Sequence, residues 1–403
     1  MRILLYTEEY YPTCAACSYR MQVIADAFVK KGHTVTVLTS ARNKDNGNIS
    51  GRQERIIYSP AIRMKKKTVI LRLLNNLSFG FTSLFTALKA GKADIVIVTS
   101  PPPLSTPFGG FIARCKHAKL IYDVRDIWPD VALEMGSFTE NSFFCKVFRA
   151  IAKHMYKKAD YVTTVSSGKV RKIQNYVRTI PGRKSGPEHV DKVKLVANGF
   201  DETILQDPID CELIKRYELD RLFTCIYIGN IGLAQGLDVL LNVARKTIHK
   251  EVQFLLFGTG AEKDMLEENA KDLDNVKFCG VLPHEKVRSL LSAAKISFIP
   301  LKNANMKDSI PTKIYEALGN GCPVLLMAEG DSCDIVRVSG LGKTVSPNHP
   351  EQLVEVFDSI IENYGEFEGK RKKAMDLMIE EYSRQKIADR FVKEITTGVY
   401  KYD

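Results

Sequence analysis

Tryptophan is nearly absent from this chain, with Trp128 alone among 403 residues, and no apolar stretch is long and uncharged enough to span a bilayer. The longest run, VILRLLNNLSFGFTSLFTAL near residue 70, carries Arg72, Asn75 and Asn76. A spanning helix needs about 20 nearly uncharged residues, so this run reads as a poor one. The opening MRILLYTEEYYP lacks the apolar core and cleavage site of a secretory signal, and a cytosolic chain is expected. Nine cysteines, an odd number scattered from Cys14 to Cys333, fit a reducing compartment better than a disulfide framework. Cys14-Ala15-Ala16-Cys17 has CxxC spacing, but a zinc ribbon needs a second pair and none exists. Small residues in a tight loop are the preferred reading there, ahead of a redox pair. No GxGxxG follows the first strand, which leaves a dinucleotide site little support.

What is present suits a protein of two or three domains, at roughly 100–200 residues per domain. Hydrophobic residues make up 45% and charged residues 26%, an ordinary globular balance that rules out disorder and collagen-like repeats. The formal charge of +11 is unevenly placed. From Arg42 to Lys92 only Asp45 and Glu54 oppose eleven basic residues, and a second basic stretch runs from Lys146 to Lys194. An anionic partner on the first half is expected, whether nucleic acid, acidic membrane or phosphorylated small molecule.

Short apolar runs such as RILLYT, TVTVLTS, ADIVIVTS, KLIYDV and DYVTTVS read as buried strands. Between them SYRMQVIADAFVKKG places Met21, Ile24, Ala25 and Phe28 on one helical face, with Gly32 as a stop. The alternation predicts a parallel, doubly wound α/β sheet. FTCIYIGN, VQFLLFGTG, VKFCGV, ISFIPL and CPVLLMA begin the pattern afresh, so a second Rossmann-like sheet follows, divided from the first near residues 202–212. The last segments, EQLVEVFDSIIENY, KRKKAMDLMIEEY and SRQKIADRFVKEITTGVY, are helical and must cover a sheet or bridge the domains.

Such sheets bind ligands beyond the carboxyl ends of their strands, so the residues just after each strand are the candidates. After the first strand, the small residues of TEEYYPTCAACSYR can admit a phosphate to backbone N–H groups. Arg20 on the following helix reads equally as a ligand contact or a surface residue. SPPPLSTPFGG is a stiff loop, read first as structural. In RDIWPD, Asp126 beside Arg125, Trp128 and Pro129 can accept hydrogen bonds from a hydroxylated substrate or cap a helix. The second half is sharper. In FTCIYIGNIGLAQGLDVLL, Gly229 and Gly232 allow close backbone approach ahead of a helix N-terminus that favours an anion. Gly258 and Gly260 offer a second such turn. In KDSIPTKIYEALGNGCPVLL, Pro311 suits a first helical turn, and Thr312 with Lys313 brings free N–H groups and an ammonium. Glu316 lies beside the apolar face of Ile314, Ala317 and Leu318, where a carboxylate can accept both hydroxyls of a ribose, and Asp308 stands eight residues earlier.

Together these segments resemble the retaining glycosyltransferases of family 4, over almost the whole chain. GNIGLAQGLDVLL is similar to that family's donor-diphosphate turn, and VANGFD to its N-G-x-D segment. DSIPTKIYEALGNGCPVLL is similar to its E-x7-E motif, with Asp308 in the first acidic place and Glu316 in the second. YDVRDIWPD and TSPPP are closest to a subgroup that includes O-antigen N-acetylfucosamine transferases. The chain also departs from the pattern. Asn230 and Gln235 stand where many members carry Arg and Lys, Arg125-Asp126 where many carry His, and Ala15-Ala16 where Gly-Gly is usual.

The resemblance implies a GT-B fold of two facing Rossmann-like domains: residues 1–204 on the acceptor side, 205–384 binding the nucleotide sugar, and a helix from 385–403 crossing back to the first. It implies transfer, with retention, of an N-acetylated hexose or deoxyhexose. The donor is a nucleoside diphosphate sugar, UDP-linked, and the acceptor a lipid-linked glycan in O-antigen or capsule synthesis. In that setting Lys313 and the backbone near Gly232 and Thr312 face the leaving diphosphate, Asn230, Gln235, Gly229, Gly258, Gly260 and Arg20 line the donor, and Glu316 holds the ribose. Asp308 with Ser309, Ile310 and Pro311 holds the sugar, while Asp126, with Arg125, Trp128, Ala15 and Ala16, serves the acceptor side. No metal or cofactor is expected, and domain closure about 202–212 excludes water. The location implied is cytoplasmic and peripheral, on the inner face of the cell membrane. IRMKKKTVILRLLNNLSFGFTSLFTALKAGK joins Lys65, Lys66 and Lys67 to apolar residues at near-helical spacing, which suits an anionic bilayer. A helix packed on the first sheet explains its leucines equally well. A nucleotide-sugar epimerase shares the two-domain architecture and remains an alternative. A nucleic-acid binder is less favoured, because the basic stretches lack stacked aromatics in a known module.

Overall fold

The computed structural model describes residues 1–11, 16–41, 51–62, 69–136, 138–179 and 191–397. It divides into two compact units, Met1–Asn198 with Gln385–Asp403, and Gly199–Arg384. In the first unit the apolar runs form β1 (Arg2–Tyr6), β2 (Thr34–Ser40), β4 (Ile95–Ser100), β5 (Lys119–Val124) and β6 (Tyr161–Thr164), with β3 (Arg55–Ser59) and β7 (Val193–Leu195) at the sheet edges. The helices that matter here are α1 (Ala16–Lys30), α2 (Val69–Thr86), α3 (Thr106–Cys115), α4 (Phe143–Lys158) and α5 (Ser167–Arg178). All seven strands are parallel in the order β3-β2-β1-β4-β5-β6-β7.

Side chains alternate across this sheet, and both faces are covered, as a parallel sheet requires. Leu4, Tyr6, Val96, Val98 and Leu120 enter one core. Ile3, Leu5, Ile95, Ile97 and Ile121 enter the other, under Met21, Ile24 and Phe28 of α1. The last described helix, α9 (Arg384–Thr396), adds Ala388, Phe391, Val392 and Ile395 to that second core, with Phe28 and Phe391 edge to face at 6.3 Å.

The second unit contains β8 (Thr224–Ile228), α6 (Asp238–Lys246), β9 (Gln253–Phe257), β10 (Val276–Gly280), β11 (Ile296–Pro300), α7 (Thr312–Gly319), β12 (Val324–Met327), α8 (Asp331–Ser339) and β13 (Gly342–Val345). Its parallel sheet runs β10-β9-β8-β11-β12-β13. The sequence reading lacked β3, β7 and β13. All three lie at sheet edges with partly exposed residues, so they carry no continuous apolar run. In each sheet the strand order reverses at one place, between β1 and β4 and between β8 and β11, the position at which open α/β sheets bind their ligands.

Candidate functional site

In the second unit the loops after β8 and β11 meet at the switch point. Gly229 has φ +138°, and a Cβ there would fall 2.4 Å from Cε of Lys313. Only glycine leaves that lysine room. Lys313, in the first turn of α7, donates from Nζ to the Tyr227 hydroxyl at 2.6 Å and lies 3.9 Å from its ring centroid. Tyr227 in turn donates to the carbonyl of Asn230, so its oxygen is left to accept from the lysine. Burial pulls the Lys313 ammonium down to about 7, with Glu316 one turn along opposing the shift. Burial also pushes the Tyr227 phenol well up, and it stays a neutral partner. The result is a half-buried cation on the edge of ionisation, held against a glycine turn.

The turn itself is built from backbone. Gly229 N donates to Phe257 O at 2.8 Å and Ile231 N to Thr259 O at 2.9 Å, which stacks the loop after β8 on the loop after β9. A Cβ on Gly258 would sit 1.8 Å from Gly229 O, and one on Gly260 2.1 Å from Ile231 O. These two glycines therefore serve the contact between the loops. Asn230 Nδ2 and Gln235 Oε1 face each other at 3.5 Å across Gly232. Lys302 N donates to Ala234 O at 3.0 Å and closes the turn from the β11 side.

Pro311 precedes α7, which begins at Thr312, so the proline stands one residue before the first-turn place expected of it. No side chain caps this end, and its first N–H groups point out of the helix. Ile314, Ala317 and Leu318 are buried, and Glu316 is half-buried on the other side. Asp308 is held in a loop pinned from two directions. Asp331 N donates to Lys307 O at 3.1 Å, and Ser332 Oγ donates to Ser309 O at 2.6 Å, both from the start of α8. Ile310 packs against the unit's core. The structure thus brings Gly229, Asn230, Gly232, Gln235 and Lys313 together, with Asp308 to Pro311 in the loop that leads into α7 and Thr312 at its first position.

The first unit uses the ends of its strands differently. Arg20, expected at the donor phosphate, is buried against Asp123, with Nη2 at 2.8 Å and Nε at 3.2 Å from its two oxygens. Its Nη1 donates to Ala197 O at 3.1 Å. The surface reading of Arg20 is corrected: its guanidinium is enclosed by its own unit. Burial pushes the Asp123 carboxyl up, and Arg20 with Thr163 more than reverses this, leaving it below the ordinary range. Thr163 Oγ1 donates to it at 2.7 Å and Thr99 Oγ1 at 3.3 Å. Arg125 ties this hub to the proline loop through Pro101 O at 2.8 Å.

Asp126 caps no helix, since the nearest one is preceded by Pro129; it pairs with the buried Lys169 of α5 at 3.1 Å and keeps 38% of its side chain exposed. Trp128 turns from the polar cluster to an aromatic one, edge to face with Phe148 at 5.2 Å and Phe138 at 6.4 Å, and its buried Nε1 has no hydrogen-bond partner among the described residues. Cys17 is buried and donates to Glu9 Oε2 at 3.1 Å, whereas Cys14, Ala15 and Lys65 to Lys67 lie outside the described residues. α1 begins at Ala16.

Tyr227, Asp123 and Lys169 were missed in the sequence. Tyrosine inside CIYIG and aspartate inside KLIYDV were the available signals, since a polar group in a buried strand must find a partner. Among the described residues no three His, Cys, Asp or Glu are placed to hold a metal ion.

Comparison with known proteins bears on both units. The family model for glycosyl transferases group 1 matches residues 213–382, and that for the glycosyl transferase 4-like domain matches residues 17–182. A putative colanic acid biosynthesis glycosyl transferase, WcaI of Escherichia coli, is 22% identical over 381 residues, 88% of this chain and 90% of that one. A probable glycosyltransferase of Pseudomonas aeruginosa, WbjE, is 20% identical over 302 residues, 71% of this chain and 72% of that one. Among solved structures, sucrose-phosphate synthase from Thermosynechococcus elongatus superposes with a TM-score of 0.78 at 15% identity over the whole of both chains. Anabaena HepE in complex with UDP-glucose does so with 0.73 at 16% identity, over 99% of this chain and 100% of that one. With one model on each half and this fold throughout, the chain is a glycosyltransferase of GT-B fold, built from a 4-like and a group 1 domain.

Proposed function

We propose that this glycosyltransferase moves a sugar, with retention, from a UDP-linked donor to a lipid-linked glycan acceptor in surface polysaccharide synthesis. The observation that carries the donor side is Lys313, a cation held by Tyr227 across a glycine turn at the β8–β11 switch point. Loss of a diphosphate leaves negative charge growing at one place. Preorganised N–H groups near Gly232 and Thr312, together with the Lys313 ammonium, are suited to stabilise it. Lys313 answers for the Arg and Lys that Asn230 and Gln235 replace. Glu316 accepts from the ribose hydroxyls, and Asp308 with Ser309 to Pro311 orients the transferred N-acetylated hexose or deoxyhexose. The donor phosphate takes the acceptor's proton, so the site needs no strong base and no metal. Asp126 orients the acceptor sugar.

The names of related proteins support the reading. HepE was crystallised with UDP-glucose, and WcaI is described in colanic acid biosynthesis. The acceptor class places the enzyme in the cytoplasm, peripheral on the inner face of the cell membrane.

Thermal shift of the purified chain against UDP-, GDP- and TDP-sugars, with and without EDTA, tests the donor. A shift confined to UDP-sugars and indifferent to EDTA is expected. NMR of the product tests the rest. An inverted anomeric centre, a free isomerised nucleotide sugar or an absolute metal requirement would each overturn the corresponding part.

A further inference from the structure

Helix α2 is packed the wrong way round for a soluble surface. Its inward residues include Asn75, Ser83 and Thr86, each under 10% exposed, beside Phe79 and Ala87. Each of them donates a hydrogen bond: Asn75 Nδ2 to Ile62 O at 2.6 Å, Ser83 Oγ to Gly80 O at 2.5 Å and Thr86 Oγ1 to Thr82 O at 3.0 Å. The outward residues are Leu74, Leu77, Phe81, Phe85 and, in the turn that continues the helix, Leu88. Their steps of three, four, four and three residues make a single stripe along one side. Their exposure is 44%, 42%, 58%, 62% and 78%. A surface helix in water turns its apolar stripe to the core, so this second stripe requires another cover.

The stripe is not isolated. Phe81 and Phe85 meet edge to face at 5.7 Å. Beside Phe81, Gly80 lies under the ring of Phe108 on α3, where a Cβ would come within 2.4 Å, and one turn further Phe111 is 55% exposed. The surrounding charge has one sign. From Arg55 to Ala93 there is no Asp or Glu, and the exposed Lys89 and Lys92 follow Leu88 while, on α3, the exposed Arg114 follows Phe111 by one turn. Apolar rings rimmed by cations complement the acyl boundary and phosphate layer of an acidic bilayer. No helix among the described residues is long and apolar enough to cross a membrane. Ser83 with Tyr6, and Thr86 with Ser59, tie the inward face of α2 to its own sheet.

We propose that the Leu74–Leu77–Phe81–Phe85–Leu88 stripe, with Phe111, is the face by which this chain lies on an anionic lipid bilayer. It deepens the proposed function by giving the enzyme a place beside a lipid-linked acceptor, and rests on that reading only for the acceptor. Adhesion of the bare enzyme needs neither donor nor acceptor.

The test is sedimentation of the full chain with vesicles of phosphatidylcholine alone or mixed with phosphatidylglycerol. Wild type is expected to bind the mixed vesicles. Combined Phe81→Gln, Phe85→Gln and Leu88→Gln should weaken that binding about tenfold or more at every salt concentration. Combined Lys89→Gln, Lys92→Gln and Arg114→Gln should weaken it at low salt only. Both variants should keep the wild-type thermal shift with UDP-sugar, which separates a failure here from a failure of the donor reading. Phe85→Trp gives a second readout, a blue shift of emission on mixed vesicles above the Trp128 background. Wild type that stays in the supernatant, equal binding of the apolar variant, or no shift at position 85 overturns the proposal. A concentration-dependent dimer abolished by the same apolar substitutions would assign the face to a second copy instead.

Discussion

The two units have matching strand-order reversals and opposite solutions at the strand ends beside them. In the first, side chains pair off over the neighbouring strand ends: Arg20 and Asp123 form a buried ion pair, satisfied further by Thr99, Thr163 and Ala197. In the second, side chains withdraw. Glycines let two loops touch, and the remaining charge is Lys313, resting on a neutral phenol with its ordinary pKa depressed. A paired buried charge supports the fold; a cation resting on a neutral phenol, with Glu316 one turn away, is a place for an anion to land.

Breaking the first solution should give the largest effect. Arg20→Ala leaves Asp123 buried without its cation, and urea denaturation should show a loss of about 3–5 kcal/mol. Because Asp123 is held below the ordinary carboxylate range, its contribution is present above that range and is lost as pH falls through the lowered value. The second unit should still respond to a UDP-sugar. Equal stability of variant and wild type would mean the pair contributes nothing net.

Removing the poised cation should cost about 2.7–4 kcal/mol of transition-state stabilisation. Lys313→Met is therefore expected to lower turnover about 10²–10³-fold, and to change binding of a nucleoside monophosphate much less. Full turnover in that variant would assign the phosphate to Asn230, Gln235 or backbone alone. Glu316→Gln should lose at least about 1.4 kcal/mol, a tenfold drop in donor binding or turnover, read from steady-state kinetics.

Proton linkage sharpens the contrast further. A lysine depressed to about 7 is charged below that pH and neutral above it in the free protein. A diphosphate favours the charged form, so binding above pH 7 must take up a proton. Donor affinity is expected to be level below about pH 7 and to fall by up to tenfold per unit above it. Calorimetry in two buffers of different ionisation heat measures the uptake directly. No uptake at pH 8 would remove Lys313 from the diphosphate. Tyr227→Phe should have the smallest effect, about 0.5–1.5 kcal/mol, by removing one hydrogen bond. It should also move the break in the affinity profile to lower pH, because the charged lysine loses its acceptor.

Local signals carried much of this molecule. RILLY, IVIVTS and TCIYI are apolar runs that can only be buried strands, and strands alternating with amphipathic helices leave a doubly wound sheet as the stable packing. Gly229, Lys313 and Glu316 were legible for the same reason. A glycine turn at a strand end and the first turn of a helix are defined by neighbours in sequence. Tertiary structure decided whatever depends on a partner far along the chain. Arg20 finds Asp123 across 103 residues and becomes structural, whereas Lys313 finds only a tyrosine hydroxyl across 86 and stays poised. The apolar pattern of α2 was equally plain, yet it fits two faces. Only the packing of Asn75, Ser83 and Thr86 against the sheet determined that the leucines and phenylalanines turn outward, because periodicity defines the stripes of a helix and the surroundings choose which one is buried.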